Sequence, residues 1–171
     1  PIVQAYVGHP DHGGEPRIAS PTGFGSVPAD ERSVRFLLAR GWELGQVERG
    51  SRLELPIDPE DLAQRIAGAR ERSGGEYRIH RWVGRTPEHF LEDLAMLTTR
   101  MGTDAPSGEL AEDADVWTAE RLRAREDAEA DWPRTALVVA VEHIESGRLV
   151  GFTDLEVPDD STRPIDQGDT I

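Results

Sequence analysis

Cysteine and lysine are both missing from this chain. Without a thiol there is no disulfide and no thiolate zinc site to hold the fold. Without lysine, all 19 basic residues are Arg, which we read as genome base composition with little functional content. Aromatic residues are scarce, at 6%. No apolar run approaches the roughly 18 residues a spanning helix needs, and no charged-then-apolar leader stands at the start. No membrane role and a cytoplasmic location are therefore expected. Positive charge is short as well. Against 33 acidic residues the net charge is −14, which argues against a nucleic-acid partner and suits a cationic small molecule such as an amine.

At 171 residues, with 37% hydrophobic and 30% charged, the chain has the composition of a globular protein of one domain or parts of two. "PIVQAYV" alternates as a strand does, and the Gly/Pro-rich stretch after it reads as a long loop. A helix is expected from about Asp30, with Val34, Leu37 and Leu38 on one face and Phe36 at its edge. Gly41 should stop it. "QVERGSRLELP" alternates again, with Val47, Leu53 and Leu55 facing inward and Pro56 ending a strand. Asp58 then caps a helix with Pro59 at its first position, carrying a thin stripe of Leu62, Ile66 and Ala69. "ERSGGE" is the best linker in the sequence, and a domain boundary is expected within it.

The second part is more regular. "EYRIHRWVG" reads as a strand, and Thr86 with Pro87 should open a helix. Phe90, Leu91, Leu94, Leu97 and Met101 give that helix one apolar stripe. A loop follows, then a charge-rich helix over about Asp113 to Asp131 with Val116 and Leu122 inward. "RTALVVAVEHIESGRLVGFTDLEV" reads as two strands joined by a tight turn at Glu145, Ser146 and Gly147. "GDTI" begins one more strand.

The order strand, helix, helix, strand, strand, with Gly147, Leu149, Val150, Gly151 and Phe152 in the hairpin, resembles the GNAT superfamily of N-acetyltransferases. "MLTTRMGTDAPSGEL" is similar to the loop between the first two helices in a tandem-domain branch of that family. "SVRFLLARGWELGQVERGSRLELP", through Phe36, Leu37, Leu38, Gly41 and Trp42, resembles the final helix and last strands of such a domain. The resemblance implies a mixed α+β fold, mostly antiparallel with flanking helices, in two partial domains. Residues 1–56 would be the C-terminal half of a first domain, 57–75 a linker with a short helix, and 76–171 the N-terminal half of a second. The chain would then be the central fragment of a longer tandem protein, inactive alone. Pairing with a second copy or with the rest of its chain across exposed sheet edges is expected.

That resemblance further implies acetyl transfer from acetyl-CoA to an amine, with no metal. The family's pyrophosphate loop lies outside this chain: "PTGFGSVP" has Gly23 and Gly25 but lacks the preceding Arg or Gln, so no cofactor-binding residue is assigned. A general base in many relatives is a carboxylate near the fourth strand. Asp169 occupies that neighbourhood, with Gln167 two residues earlier. Loss of hydration beside a core would raise its pKa, while a solvated loop end would leave Asp169 inert. Asp104 and Glu109, between the two helices, fall at the acceptor side in the family and could hold a cationic amine. Each could equally cap a turn or lie in water. Glu156 is a third such carboxylate.

Three features are set aside. His9, Asp11 and His12 lie close in sequence but lack further ligands, and a Gly/Pro-rich loop preorganises them poorly. His80, His89 and His143 are isolated. Trp117 and Trp132 read as core anchors. An alternative to an enzyme is a non-catalytic GNAT-like module that binds a ligand or supports a partner domain. A small hydrolase ranks below both, since no Gly-x-Ser-x-Gly elbow is present.

Overall fold

In a computed structural model of the chain, residues 3–104 and 115–171 are described. They fall into two compact units, one over 3–54 and the other over 55–104 with 115–171. Among the described residues no helix is long and apolar enough to cross a membrane.

In the first unit the expected loop holds a small hairpin. Strands β1 (Arg17–Ala19) and β2 (Ser26–Pro28) pair antiparallel, with Ile18 opposite Val27. The Arg17 guanidinium reaches Asp11 with two hydrogen bonds of 2.9 and 3.0 Å and also binds the Ser26 carbonyl, tying the Gly/Pro-rich segment to the hairpin. Helix α1 (Arg32–Ala39) follows, capped by the Glu31 carboxylate on the Ser33 and Val34 N–H groups. Gly41 ends it at φ 79°, letting the Trp42 N–H fold back onto the Leu37 carbonyl. Two expectations fail here. Residues 3–7 and the stretch 46–56 form no strand. Alternation marks a segment able to lie on a half-buried sheet, but a strand exists only where a neighbour takes its N–H and C=O groups. Among the described residues neither segment has one, and Leu53 and Leu55 stay exposed.

The second unit begins with α2 (Pro59–Ser73). Its Asp58 cap accepts from the Glu60 and Asp61 N–H groups at 2.8 and 3.0 Å, and acids stand in the first turn with Arg70 and Arg72 in the last. Leu62 and Ile66 remain exposed on it. A four-stranded antiparallel sheet follows in the order β3 (Tyr77–Val83), β4 (Arg134–His143), β5 (Arg148–Pro158), β6 (Asp166–Thr170). Between β3 and β4 the chain makes a single 3₁₀ turn, Glu88–Phe90, then α3 (Leu91–Asp104) and α4 (Ala119–Glu129). Thr86 is not the expected cap. It is buried, its N–H donates to the Glu126 carboxylate, and Pro87 starts the turn without a side-chain cap. The charge-rich helix starts at Ala119 rather than near Asp113, because Thr118 caps it through the Arg121 N–H; Val116 stays outside, 60% exposed.

The core lies between one face of the sheet and the two helices. Phe90, Leu91, Leu94, Ala95 and Leu97 meet Leu122, Val138, Ala140, Leu149 and Phe152. Each of the Leu, Val and Phe side chains among them, fully buried, contributes about 1.5–3 kcal/mol. Strand parity explains the selection. Trp82 on β3 stacks on Phe90 at 5.9 Å, and Val138, Ala140 and Phe152 point the same way. Ile79, Val83 and Leu155 take the other parity and lie exposed. Buried Asp93 fastens the helix layer to the sheet: its carboxylate accepts the Leu149 N–H at 2.9 Å and meets Arg148 at 2.6 Å.

Candidate functional site

Strands β5 and β6 pair with a register shift. Thr153 faces Thr170 and Leu155 faces Gln167, so Gly168 and Asp169 together stand opposite the single residue Asp154. This is a bulge, and the Asp154 side chain fills it. One carboxylate oxygen, Oδ1, accepts the backbone N–H of Asp169 at 2.6 Å. The other lies so close to Gly168 that a Cβ there would stand 2.6 Å from it. Only glycine fits beside that carboxylate.

Asp154 shares its strand parity with Phe152 and so points to the helix-covered side. Loss of hydration there pushes its carboxyl pKa up; the nearby Asp169 charge adds to this, while the Asp169 N–H and the Arg125 guanidinium oppose it. Arg125 comes from α4, where its Nε donates to Glu129 at 3.0 Å and its guanidinium lies 5.5 Å from the Trp117 ring centre. Two carboxylates thus lie together at the bulge, within electrostatic reach of the Arg125 guanidinium. A carboxyl with a raised pKa in such a place can take up a proton closer to neutral pH than an exposed one.

Asp169 is half-buried at this bulge, as part of a pair with Asp154. Gln167 turns its amide to Thr153 and Thr170, at 3.2 and 2.8 Å. Glu156, two residues along β5, is held by Arg134, which in turn stacks on Trp132 at 4.2 Å and reaches Glu129 at 3.4 Å. Asp104 ends α3 and pairs with Arg100 at 3.1 Å on the surface. Glu109 lies outside the described residues. The three of these carboxylates that are described, Asp169, Glu156 and Asp104, do not converge, and the residue that joins Asp169 is Asp154. One signal could have found it: in "GFTDLEV" an acid stands in step with Phe152, on the face that must be apolar.

Several of the features set aside have structural roles. Asp11 serves Arg17, and among the described residues no group of side chains could hold a metal ion. His80 shares a hydrogen bond of 2.6 Å with Glu142, which also binds Arg78 at 3.2 Å. Trp117 packs against the core, its backbone N–H donates to Thr99 Oγ1 at 2.8 Å and its indole N–H to Asp115 at 3.0 Å. Trp132 is not a core anchor: it is 48% exposed, beside a cleft of about 200 Å³ that Arg134, Glu156 and Arg163 also line. A larger cleft of about 380 Å³ lies by Glu88, Glu92, Asp93 and Arg148, away from the bulge.

Gly23 and Gly25 do not form a phosphate cradle. Their loop joins β1 to β2 rather than opening a helix, and the Gly23 and Phe24 N–H groups are spent on Ser20 and Thr22.

No family model matches the chain, and no curated protein does. Among solved structures it is similar to a tandem GNAT protein from the clavulanic acid biosynthesis pathway, solved without acetyl-CoA. Identity is 18% and the TM-score 0.43, a likeness too loose to align residues on. The matched part covers 57% of this chain and 26% of that one.

Proposed function

We propose that this chain belongs to an acyl-CoA-dependent N-acyltransferase that moves an acetyl group from acetyl-CoA to an amine. The observation that carries the reading is the desolvated Asp154 carboxyl paired with Asp169 at the β5–β6 bulge. It supplies a proton acceptor next to the strand where the family resemblance expects one. The order β3, α3, α4, β4, β5, β6, with the glycine-bearing hairpin, supports the same reading.

Chemically, the amine nitrogen attacks the thioester carbon, the carbon–sulfur bond breaks, and the thiolate leaves. A cationic amine loses two protons, one to free its lone pair and one as the amide forms; Asp154 or Asp169 accepts one and the departing thiolate takes up the other. For Asp154, loss of hydration raises its readiness to accept a proton, and the Arg125 charge opposes that by favouring its ionised form. The net charge of −14 favours the approach of a cationic amine. None of the described residues forms a pyrophosphate cradle, so no step is assigned to binding of the nucleotide end.

The test uses the intact parent protein, acetyl-CoA and a panel of primary amines, with released thiol as the readout. Amine-dependent release should fall by about 10²–10⁴-fold when Asp154 and Asp169 are both changed to Asn. Unchanged turnover in that double variant would remove both residues from the chemistry. Absence of release with every amine would sink the transferase reading itself.

A further inference from the structure

Strand β6 is the edge of its sheet, and its bulge is closed by a side chain in place of a regular backbone ladder. We propose that the Asp154 carboxyl is a proton-operated latch for β6: protonated, it holds the bulge shut; ionised, it loosens the strand.

The geometry gives the reason. Oδ1 accepts the Asp169 N–H and can do so in either protonation state, because a neutral acid keeps its carbonyl oxygen. The second oxygen is pressed against Gly168 with no room for solvent on that side. The charged groups that face it are Asp169 from β6 and Arg125 from α4, the latter shared with Glu129; Glu156 further along β5 is already held by Arg134. With Asp154 and Asp169 both ionised, one partly committed arginine faces two negative charges. A single proton on the pair removes the repulsion and leaves the N–H bond in place.

Burial raises the Asp154 carboxyl above its ordinary value. A raised acid favours the closed state fully below the pKa it has in the open state, and that advantage is lost as pH rises through its closed-state pKa. The latch is therefore shut in acid and loosens from about pH 4 upward. This does not rest on acyl transfer.

Hydrogen exchange of the Asp169 and Ile171 amides, which donate to Asp154 and Phe152 of β5 around the bulge, tests it in the intact chain between pH 4 and 7 after correction for intrinsic rate. Protection should fall by about threefold or more across that range in the unmodified chain. Asp154→Asn keeps an acceptor and cannot ionise, so its protection should stay high and flat. Asp154→Ala should show low, flat protection. A pH-independent Asp169 amide in the unmodified chain, or the same slope in Asp154→Asn, would overturn the proposal.

Discussion

Gly168→Ala is the sharpest probe of the β5–β6 junction. Gly168 is not among the glycines with positive φ, so alanine suffers no backbone strain there. What it meets is one side chain: the new Cβ would lie 2.6 Å from Asp154 Oδ2, 3.0 Å from Oδ1 and 3.1 Å from Cγ. The carboxylate must swing away and lose its 2.6 Å bond from the Asp169 N–H. Overpacking of this kind costs about 1–3 kcal/mol. Replacing glycine also restricts the unfolded chain, which returns about 0.4–1 kcal/mol. The net expectation is a destabilisation of roughly 1–2 kcal/mol. Urea denaturation followed by circular dichroism reads it as a lower midpoint with an unchanged slope. The decisive arm is the double variant. In an Asp154→Ala background the obstacle is gone, so Gly168→Ala should be neutral or stabilising by up to about 1 kcal/mol. The coupling between the two positions should therefore reach about 1–3 kcal/mol. An equal loss in both backgrounds would show that the cost does not come from Asp154, and the account of the bulge would fail.

Two further outcomes follow from the same geometry. Asp93→Ala strips the acceptor from the buried Leu149 N–H and should cost about 1–3 kcal/mol in thermal or urea unfolding, whereas Asp93→Asn, which keeps an acceptor, should cost clearly less. In the first unit, the Arg17 hydrogen bond and then the Gly13 N–H hold the Asp11 carboxyl down to about 2. Its stabilisation is present above the ordinary aspartate value of about 4 and is lost as pH falls through about 2. Arg17→Ala should move the Asp11 titration, followed by carboxyl NMR, back toward the ordinary value; no movement would remove the pair as its cause.

Local chemistry determined much of this molecule from sequence alone. Asp58 before Pro59 starts α2 because a short acid can accept free N–H groups and proline needs no acceptor there. The spacing of Phe90, Leu91, Leu94 and Leu97 makes α3 a core helix, since residues three and four apart share one face. Gly147 between two alternating apolar runs makes the hairpin of β4 and β5. Other matters depended on partners distant in the chain. Residues 46–56 alternate as well as β3 does, yet among the described residues β3 has a neighbour to complete its hydrogen bonds and 46–56 has none. Glu156 and Asp154 stand two residues apart on one strand, and nothing in their types separates them. Arg134, 22 residues away, takes up Glu156, while Gly168 and Asp169 close over Asp154 and strip its water. Charge and periodicity are written in the residues themselves; desolvation and pairing belong to whatever the fold brings alongside them.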